Sequence, residues 1–471
     1  MTNWLPNLSA GSGPLYARLA DQIEHDIEAG VLAGGAKLPP QRNLAYDIGV
    51  TIGTVSRAYA LVRERGLISG EVGRGTYVLP REQNEHPLPP SEGQPFAGTR
   101  SMIIEPGKQR MDSTAAPDVG QAEAIRSLTA GILDEHPTEI ASYTRTLPPS
   151  WFQAGCDWLA QSGWRPEPEN IVPTLGGHAG ILAVIAAMTL PGDRVAYEAL
   201  TYSHVARSAT VIGRRSVAVA IDAFGMVPED FERVCAQQHP KLAFLVPSLH
   251  NPTLAIMPEE RRRAIVEIAR RHNVWLIEDN IYGALLGETP VLVAALAPER
   301  TFLIGSLSKS VAAGVRGGWI ACPPHYASRV LIAHKMITGG MPFLLGELAA
   351  RLVISGEGAA IHRRVAEEIR AREALARAAF AGQEFISRPD TPFLWLKLPD
   401  PWLASTFKNA AAEEGILIDD EDEFKVERSG PALHRVRVAF TVPNARARVA
   451  EAFSTLKGLL DNPICGFDNY S

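Results

Sequence analysis

The stretch from residue 81 to residue 110 constrains this chain more than any other. Pro87, Pro89, Pro90, Pro95 and Pro106 fall there among Gly, Ser, Gln and Glu, with no apolar period. A segment of that kind has nothing to bury and holds a semi-extended path, so it reads as a linker. The chain is therefore expected to fold as two units, a small one over 1–80 and a large one over 111–471. With 46% hydrophobic and 21% charged residues, the 471 residues can supply a core to each. No apolar run approaches the ~20 residues that span a bilayer. Met1 to Gly13 shows no basic start followed by an apolar core, so a cytoplasmic protein is expected. Cys156, Cys235, Cys322 and Cys465 lie far apart without metal-ligand spacing. They point to free thiols in a reducing compartment and to no metal site.

In the small unit, Leu15, Leu19, Ile23 and Ile27 recur every four residues and predict a helix that stops at Gly30. A second, short helix carries Arg42, Leu44, Ala45 and Ile48 and ends at Gly49. Thr51 is placed to cap a third helix reaching about Arg65, with Gly66 behind it. Leu67-Ile68 and Thr76-Tyr77-Val78 read as strands around the tip Gly73-Arg74-Gly75. The net charge of −6 argues against a protein coated with nucleic acid, but the charges are unevenly spread. Between residues 37 and 75, six basic residues (Lys37, Arg42, Arg57, Arg63, Arg65, Arg74) face three acidic ones, Asp47, Glu64 and Glu71. A basic excess beside a helix, tight turn and helix suits DNA, with Thr54, Ser56 and Arg57 in the first turns of the third helix. Arg42 opens the preceding helix, and Arg74 with Gly75 sits at the hairpin tip, where phosphate or minor groove would be met.

The motifs Lys37-Leu38-Pro39-Pro40-Gln41-Arg42, Thr54-Val55-Ser56-Arg57-Ala58-Tyr59 and Gly73-Arg74-Gly75-Thr76-Tyr77-Val78 closely resemble the winged helix-turn-helix of GntR-family regulators. Ile52 departs from that pattern, since many members carry Arg directly after the capping residue.

The large unit alternates apolar strands (Leu242–Val246, Val274–Ile277, Thr301–Ile304) with amphipathic helices such as Pro258–Arg271. That order predicts an α/β fold with a mostly parallel central sheet, whose ligands bind beyond the carboxyl ends of the strands. Gly305-Ser306-Leu307-Ser308-Lys309 follows one such strand, and an amine there beside two hydroxyls is a natural Schiff-base site. Arg316, flanked by Gly314, Gly317 and Gly318, can grip a phosphate. Asp279 ends another strand and can keep a pyridine nitrogen protonated. Asn251 and Tyr282 can bond a phenolic oxygen, Gly176-Gly177-His178 can cradle phosphate, and Tyr202 can stack on a ring. Each of these alone also fits an ordinary structural role.

Their order is what resembles the class I/II aminotransferases of fold type I, over residues 111 to about 455. The resemblance implies pyridoxal 5′-phosphate, with Lys309 forming the internal aldimine, Asp279 on the ring nitrogen and Asn251 and Tyr282 on the ring hydroxyl. Ser306, Ser308 and Arg316 would hold the phosphate, with the Gly176–His178 turn behind them. Arg437 would receive a substrate or effector carboxylate, and Arg435 competes for that assignment. Tyr143 departs from the pattern, being followed by Pro148-Pro149-Ser150-Trp151-Phe152 instead of a Gly-containing turn and an Arg. A GntR-type winged helix joined to such a body is similar to the MocR subgroup of bacterial regulators. The resemblance implies a homodimer that senses an amine, an amino acid or the cofactor itself and changes its hold on operator DNA. The alternative is a working aminotransferase with an auxiliary DNA-binding domain.

Overall fold

Around one apolar centre at the N-terminal end pack the helices Leu15–Glu28, Gln41–Asp47 and Ile52–Glu64. The structure, a computed structural model, describes residues 4–6, 8, 14–33, 36–64, 67–71, 75–78, 98–100, 107–287, 290–427, 432–442 and 445–462. Leu19 and Ile23 of the first helix are buried against Leu44, Val55, Ala58, Tyr59 and Val62. Leu15, expected on the same stripe, is 46% exposed and lies outside that cluster. The amide of Thr54 donates to Thr51 Oγ1 at 3.2 Å, so Thr51 caps the third helix through its side chain. The strands Ile68–Glu71 and Gly75–Val78 pair antiparallel, Ile68 opposite Val78 and Glu71 opposite Gly75. Arg65, Gly66, Gly73 and Arg74 lie outside the described residues.

The chain divides into units at Glu92/Gly93. The second is built on seven strands in the order Ile171–Thr174, Gly318–Ala321, Thr301–Ser306, Trp275–Asp279, Leu242–Leu245, Arg194–Glu198, Arg215–Val219. Gly318–Ala321 runs antiparallel to both its neighbours, and the other pairings are parallel. The central strands are buried along their length because helices cover both faces, which is why they read as continuous apolar runs.

Sheet register assembles the site. Ser306 pairs with Gly318, and Gly318 with Thr174. The serines after one strand, the Arg316 loop before the next and the glycine turn after a third therefore meet at one edge. Gly318 has to be glycine, because a Cβ there would stand 2.9 Å from Gly305 O and 3.1 Å from the Gly176 backbone.

A second layer holds four strands in the order Phe385–Ile386, Phe393–Lys397, Arg435–Ala439, Asp419–Asp420, backed by the helices Glu357–Ala379 and Arg446–Asp461. Here the body reaches back into the stretch expected to be linker through residue 110. Gln109–Arg110 pairs parallel with Ile416–Leu417, and Thr99 and Arg100 bond to Glu423. Proline content hid these residues, because what holds them lies more than three hundred residues away.

Candidate functional site

One cavity of about 230 Å³ opens at the carboxyl ends of the parallel strands. It is lined by Tyr202, Asn251, Asp279, Tyr282, Ser306, Ser308, Lys309, Arg316 and Arg437, together with Gly177 and His178. Gly176 stands behind Arg316, whose carbonyl is 3.7 Å from where a Gly176 Cβ would be. Every body residue expected in the site thus lies in or against this cavity. Arg435 does not: it points away along its strand and pairs with Glu384 at 2.6 Å. The two arginines stand two residues apart on one face of the strand Arg435–Ala439, roughly 7 Å along it, which carries Arg435 past the cavity to Glu384.

At one end the groups are donors awaiting an anion. Ser306 Oγ lies 2.9 Å from Ser308 Oγ and donates to Gly317 O at 3.1 Å. The Gly176–Met188 helix begins here, with Gly176 at φ 78° aiming the first amides of the helix at the same place. Arg316 has left-handed backbone, φ 57°, a conformation that costs about 1–3 kcal/mol and is kept where function holds it. Among the described residues its guanidinium has no ion pair. His178 bonds Ser208 through Nε2 at 3.1 Å, its Nδ1 is buried without a partner, and burial and then Arg316 hold its pKa down.

The middle holds the amine and the acid. Lys309 is half-buried, and its Nζ stands 5.8 Å from the centre of the Tyr282 ring. Burial, then the charges of Arg437 and Arg100, bring its pKa down to about 8, against the pull of Asp279. At neutral pH a usable fraction is free amine, which an aldehyde requires. Asp279 is pushed up to about 6, chiefly by burial, although the Ile281 amide donates to it at 3.0 Å. A buried carboxylate with no ion pair among the described residues is what a protonated ring nitrogen would satisfy. Tyr282 bonds the Thr114 hydroxyl, and His204 stacks on Tyr202 with ring centres 5.3 Å apart.

The far end is an arginine pair on one carboxylate. Arg437 donates to Asn251 Oδ1 at 2.8 Å, to Asp112 O at 2.7 Å and to Asp419 Oδ2 at 2.5 Å. Phe393 and Phe424 flank its guanidinium at 5.2 and 4.8 Å. Arg100 also grips Asp419, with Nε and Nη2 donating at 2.9 and 2.7 Å. Thr114, His204, Asp419, Glu423 and Arg100 escaped the sequence reading. The acidic run Asp419-Asp420-Glu421-Asp422-Glu423 was the available signal, since all but Asp422 are buried and basic residues meet them. Tyr143 is 91% exposed and stands in a separate concavity with Arg145 and Pro149.

The expected DNA face lies on the first unit. Arg42, Thr51, Ser56 and Arg57 are exposed and Thr54 half-buried, along the start of the second helix and the first half of the third. Arg57 stands 6.0 Å from the centre of the Tyr16 ring. Gly75 opens the second hairpin strand.

Comparison with known proteins gives both units a family. Residues 15–78 match the family described as bacterial regulatory proteins, gntR family, and residues 118–453 match aminotransferase class I and II. The chain is 30% identical over 464 residues to the uncharacterized HTH-type transcriptional regulator YdeF of Bacillus subtilis (strain 168), covering 98% of this chain and 97% of that one. It is 29% identical to the HTH-type pyridoxine biosynthesis transcriptional regulator PdxR of Corynebacterium glutamicum over 338 residues, 68% of this chain and 69% of the relative. Among solved structures, an archaeal alanine:glyoxylate aminotransferase superposes with a TM-score of 0.68 at 22% identity, over 75% of this chain and 91% of that one. At that identity the likeness establishes the fold.

Proposed function

This chain belongs to the GntR-type regulators fused to a class I/II aminotransferase domain, the MocR subgroup, and we propose that it regulates transcription by reading an amine-bearing effector with pyridoxal 5′-phosphate. The observation that carries this reading is the Lys309 amine, without an ion pair among the described residues, in one cavity with Asp279, Ser306, Ser308 and Arg316. An anion cradle, a buried acid and a lysine of lowered pKa are the donor set that the cofactor needs. When bound, the cofactor supplies an aldehyde that combines reversibly with amines.

The chain's own residues would act as follows. Ser306, Ser308, Arg316 and the turn Gly176-Gly177-His178 take the phosphate. Asp279 holds a proton on the ring nitrogen, Asn251 and Tyr282 bond the ring hydroxyl, and Tyr202 covers a ring face. Lys309 would hold the cofactor's aldehyde carbon through its Nζ, the position for which an effector amine would compete. Arg437 takes a carboxylate on that amine. The name of the Corynebacterium relative supports the cofactor itself as one of the signals. Two copies of the chain, each offering the exposed helix Ile52–Glu64 to a half-site, would bind operator DNA as a homodimer.

Two assays on the full chain test this. DNA from its own upstream region should change affinity between 5- and 150-fold when cofactor or amino acid is added, the ordinary range of coupling between sites. With an amino acid and a keto acid together, no more than one turnover per chain is expected. Unchanged DNA affinity would overturn the regulatory reading, and sustained turnover would favour an aminotransferase that also binds DNA.

A further inference from the structure

Asp419 is buried and shared by two arginines of different origin. Arg437 comes from a strand of the body, whereas Arg100 lies where the chain joins the body after the N-terminal unit. The two donate to the same acceptors, the Asp419 carboxylate and the Asp112 carbonyl, which Arg100 Nη2 reaches at 2.9 Å. Burial disfavours the charge on Arg100, but Asp419, Asp112 and Glu423 outweigh it and raise its pKa.

Glu423, the third acid beside Arg100, is taken by Arg207. Arg100, Arg110 and Arg437 face Asp112 and Asp419, with Arg110 spread over both oxygens of Asp112 at 2.9 and 3.1 Å. Arg437, only 3% exposed, keeps a buried Nε without a partner. One carboxylate entering from the cavity would use that donor.

The backbone beside Arg100 is tied to the same place. The amides of Thr99 and Arg100 donate to Glu423 Oε2 at 2.7 and 3.1 Å. The Thr99 hydroxyl bonds Asp420, and Lys408 donates to the Thr99 carbonyl.

We propose that Arg100 is a second carboxylate-binding residue of the effector site and ties that site to the chain leading to the N-terminal unit. A ligand carboxylate competes with Asp419 for Arg437 and Arg100. The outcome reaches Thr99 and Arg100 directly, because they share the Asp419–Glu423 segment. Asp419 thus stands in for the ligand when none is bound. The proposal rests on the cavity being the effector site, and it names the class: a carboxylate-bearing amine in preference to a simple amine.

Calorimetric titration of propionate into the full chain, at constant ionic strength and with propylamine as control, tests it without needing the cofactor. Propionate should bind and propylamine should not. Arg100→Gln should weaken propionate by about 10- to 100-fold, the worth of a charge-assisted hydrogen bond. Asp419→Asn should tighten it, since the internal competitor is gone. A purely structural role for the cluster would move both variants in the same direction. Should Asp419→Asn fail to fold, hydrogen exchange in the wild type serves, with the Thr99 and Arg100 amides exchanging faster when propionate is present. Equal affinity in wild type and Arg100→Gln, or no binding to the wild type, overturns the proposal. The visible spectrum with added cofactor, read separately, reports whether the cofactor reading itself stands.

Discussion

Arg437 donates to the side-chain oxygen of Asn251 at 2.8 Å, so the residue set to take a carboxylate touches the residue set to face the cofactor ring. One hydrogen bond therefore joins the arginine end of the cavity to a residue proposed to hold the ring. Arg437→Gln keeps an amide that can still bond Asn251 but loses the charge. In the cofactor-loaded protein, the preference for alanine over ethylamine should fall by about 10- to 100-fold, read as the concentration of each that shifts the visible band. A preference that survives the substitution would remove Arg437 from carboxylate binding.

Lys309 should make cofactor capture pH-dependent. Its pKa lies below the usual lysine value, near 8, with burial the largest cause and Arg437 and Arg100 next. The ammonium form cannot attack an aldehyde, so the capture rate should rise with pH and level off above about 8. Arg437→Gln removes a repelling charge and should move the midpoint upward. Stopped-flow absorbance over pH 6 to 10 measures both, and a profile that is flat or falls with pH would contradict the assignment.

Glu278 and Asp279 are neighbours in one strand with opposite duties. Glu278 faces away from the cavity and accepts from the Val293 and Ala294 amides at 3.1 and 2.8 Å, with Arg262 at 3.4 Å. Arg262 and Glu278 are both fully buried, so Glu278→Ala strands a charge and should cost about 3–5 kcal/mol of stability. Asp279→Asn should unfold nothing and weaken cofactor binding. Denaturant unfolding beside cofactor titration separates the two, and equal losses of stability would mean that Asp279 is structural as well.

Much of this was legible in the sequence, and the limits have a physical cause. The Thr51 cap, the hairpin partners and the buried strands follow from local patterns, and the structure has them. Most of the body residues expected in the cavity could be named because they lie at or just beyond strand ends, where a parallel sheet puts its ligands, whereas Arg437, inside the strand Arg435–Ala439, came only from the family resemblance. Arg100 was not legible, since a Pro-rich neighbourhood says linker and the bond that overrides it joins residues 319 positions apart. The run Asp419–Glu423 resembles a solvated acidic patch until Arg100, Arg207, Lys408 and Lys425 are brought to it by the fold. Leu15 failed in the other direction, an apolar residue in phase with a buried stripe but outside the cluster that the stripe joins.

Arg57, exposed on the helix Ile52–Glu64, should contribute to DNA binding through charge. Arg57→Ala should reduce the salt dependence of binding by about 0.9 in the log–log slope, as the loss of one phosphate contact does. Anisotropy titrations at several salt concentrations on any duplex suffice. An unchanged slope would move the contact elsewhere on the unit.

The central claim is that Lys309 carries pyridoxal phosphate, and the visible absorption spectrum tests it most directly. The full chain mixed with the cofactor, cleared of excess and treated with borohydride, should show a reducible band. Lys309→Ala should show none. The same band in the variant, or no band in the wild type at saturating cofactor, would contradict the account.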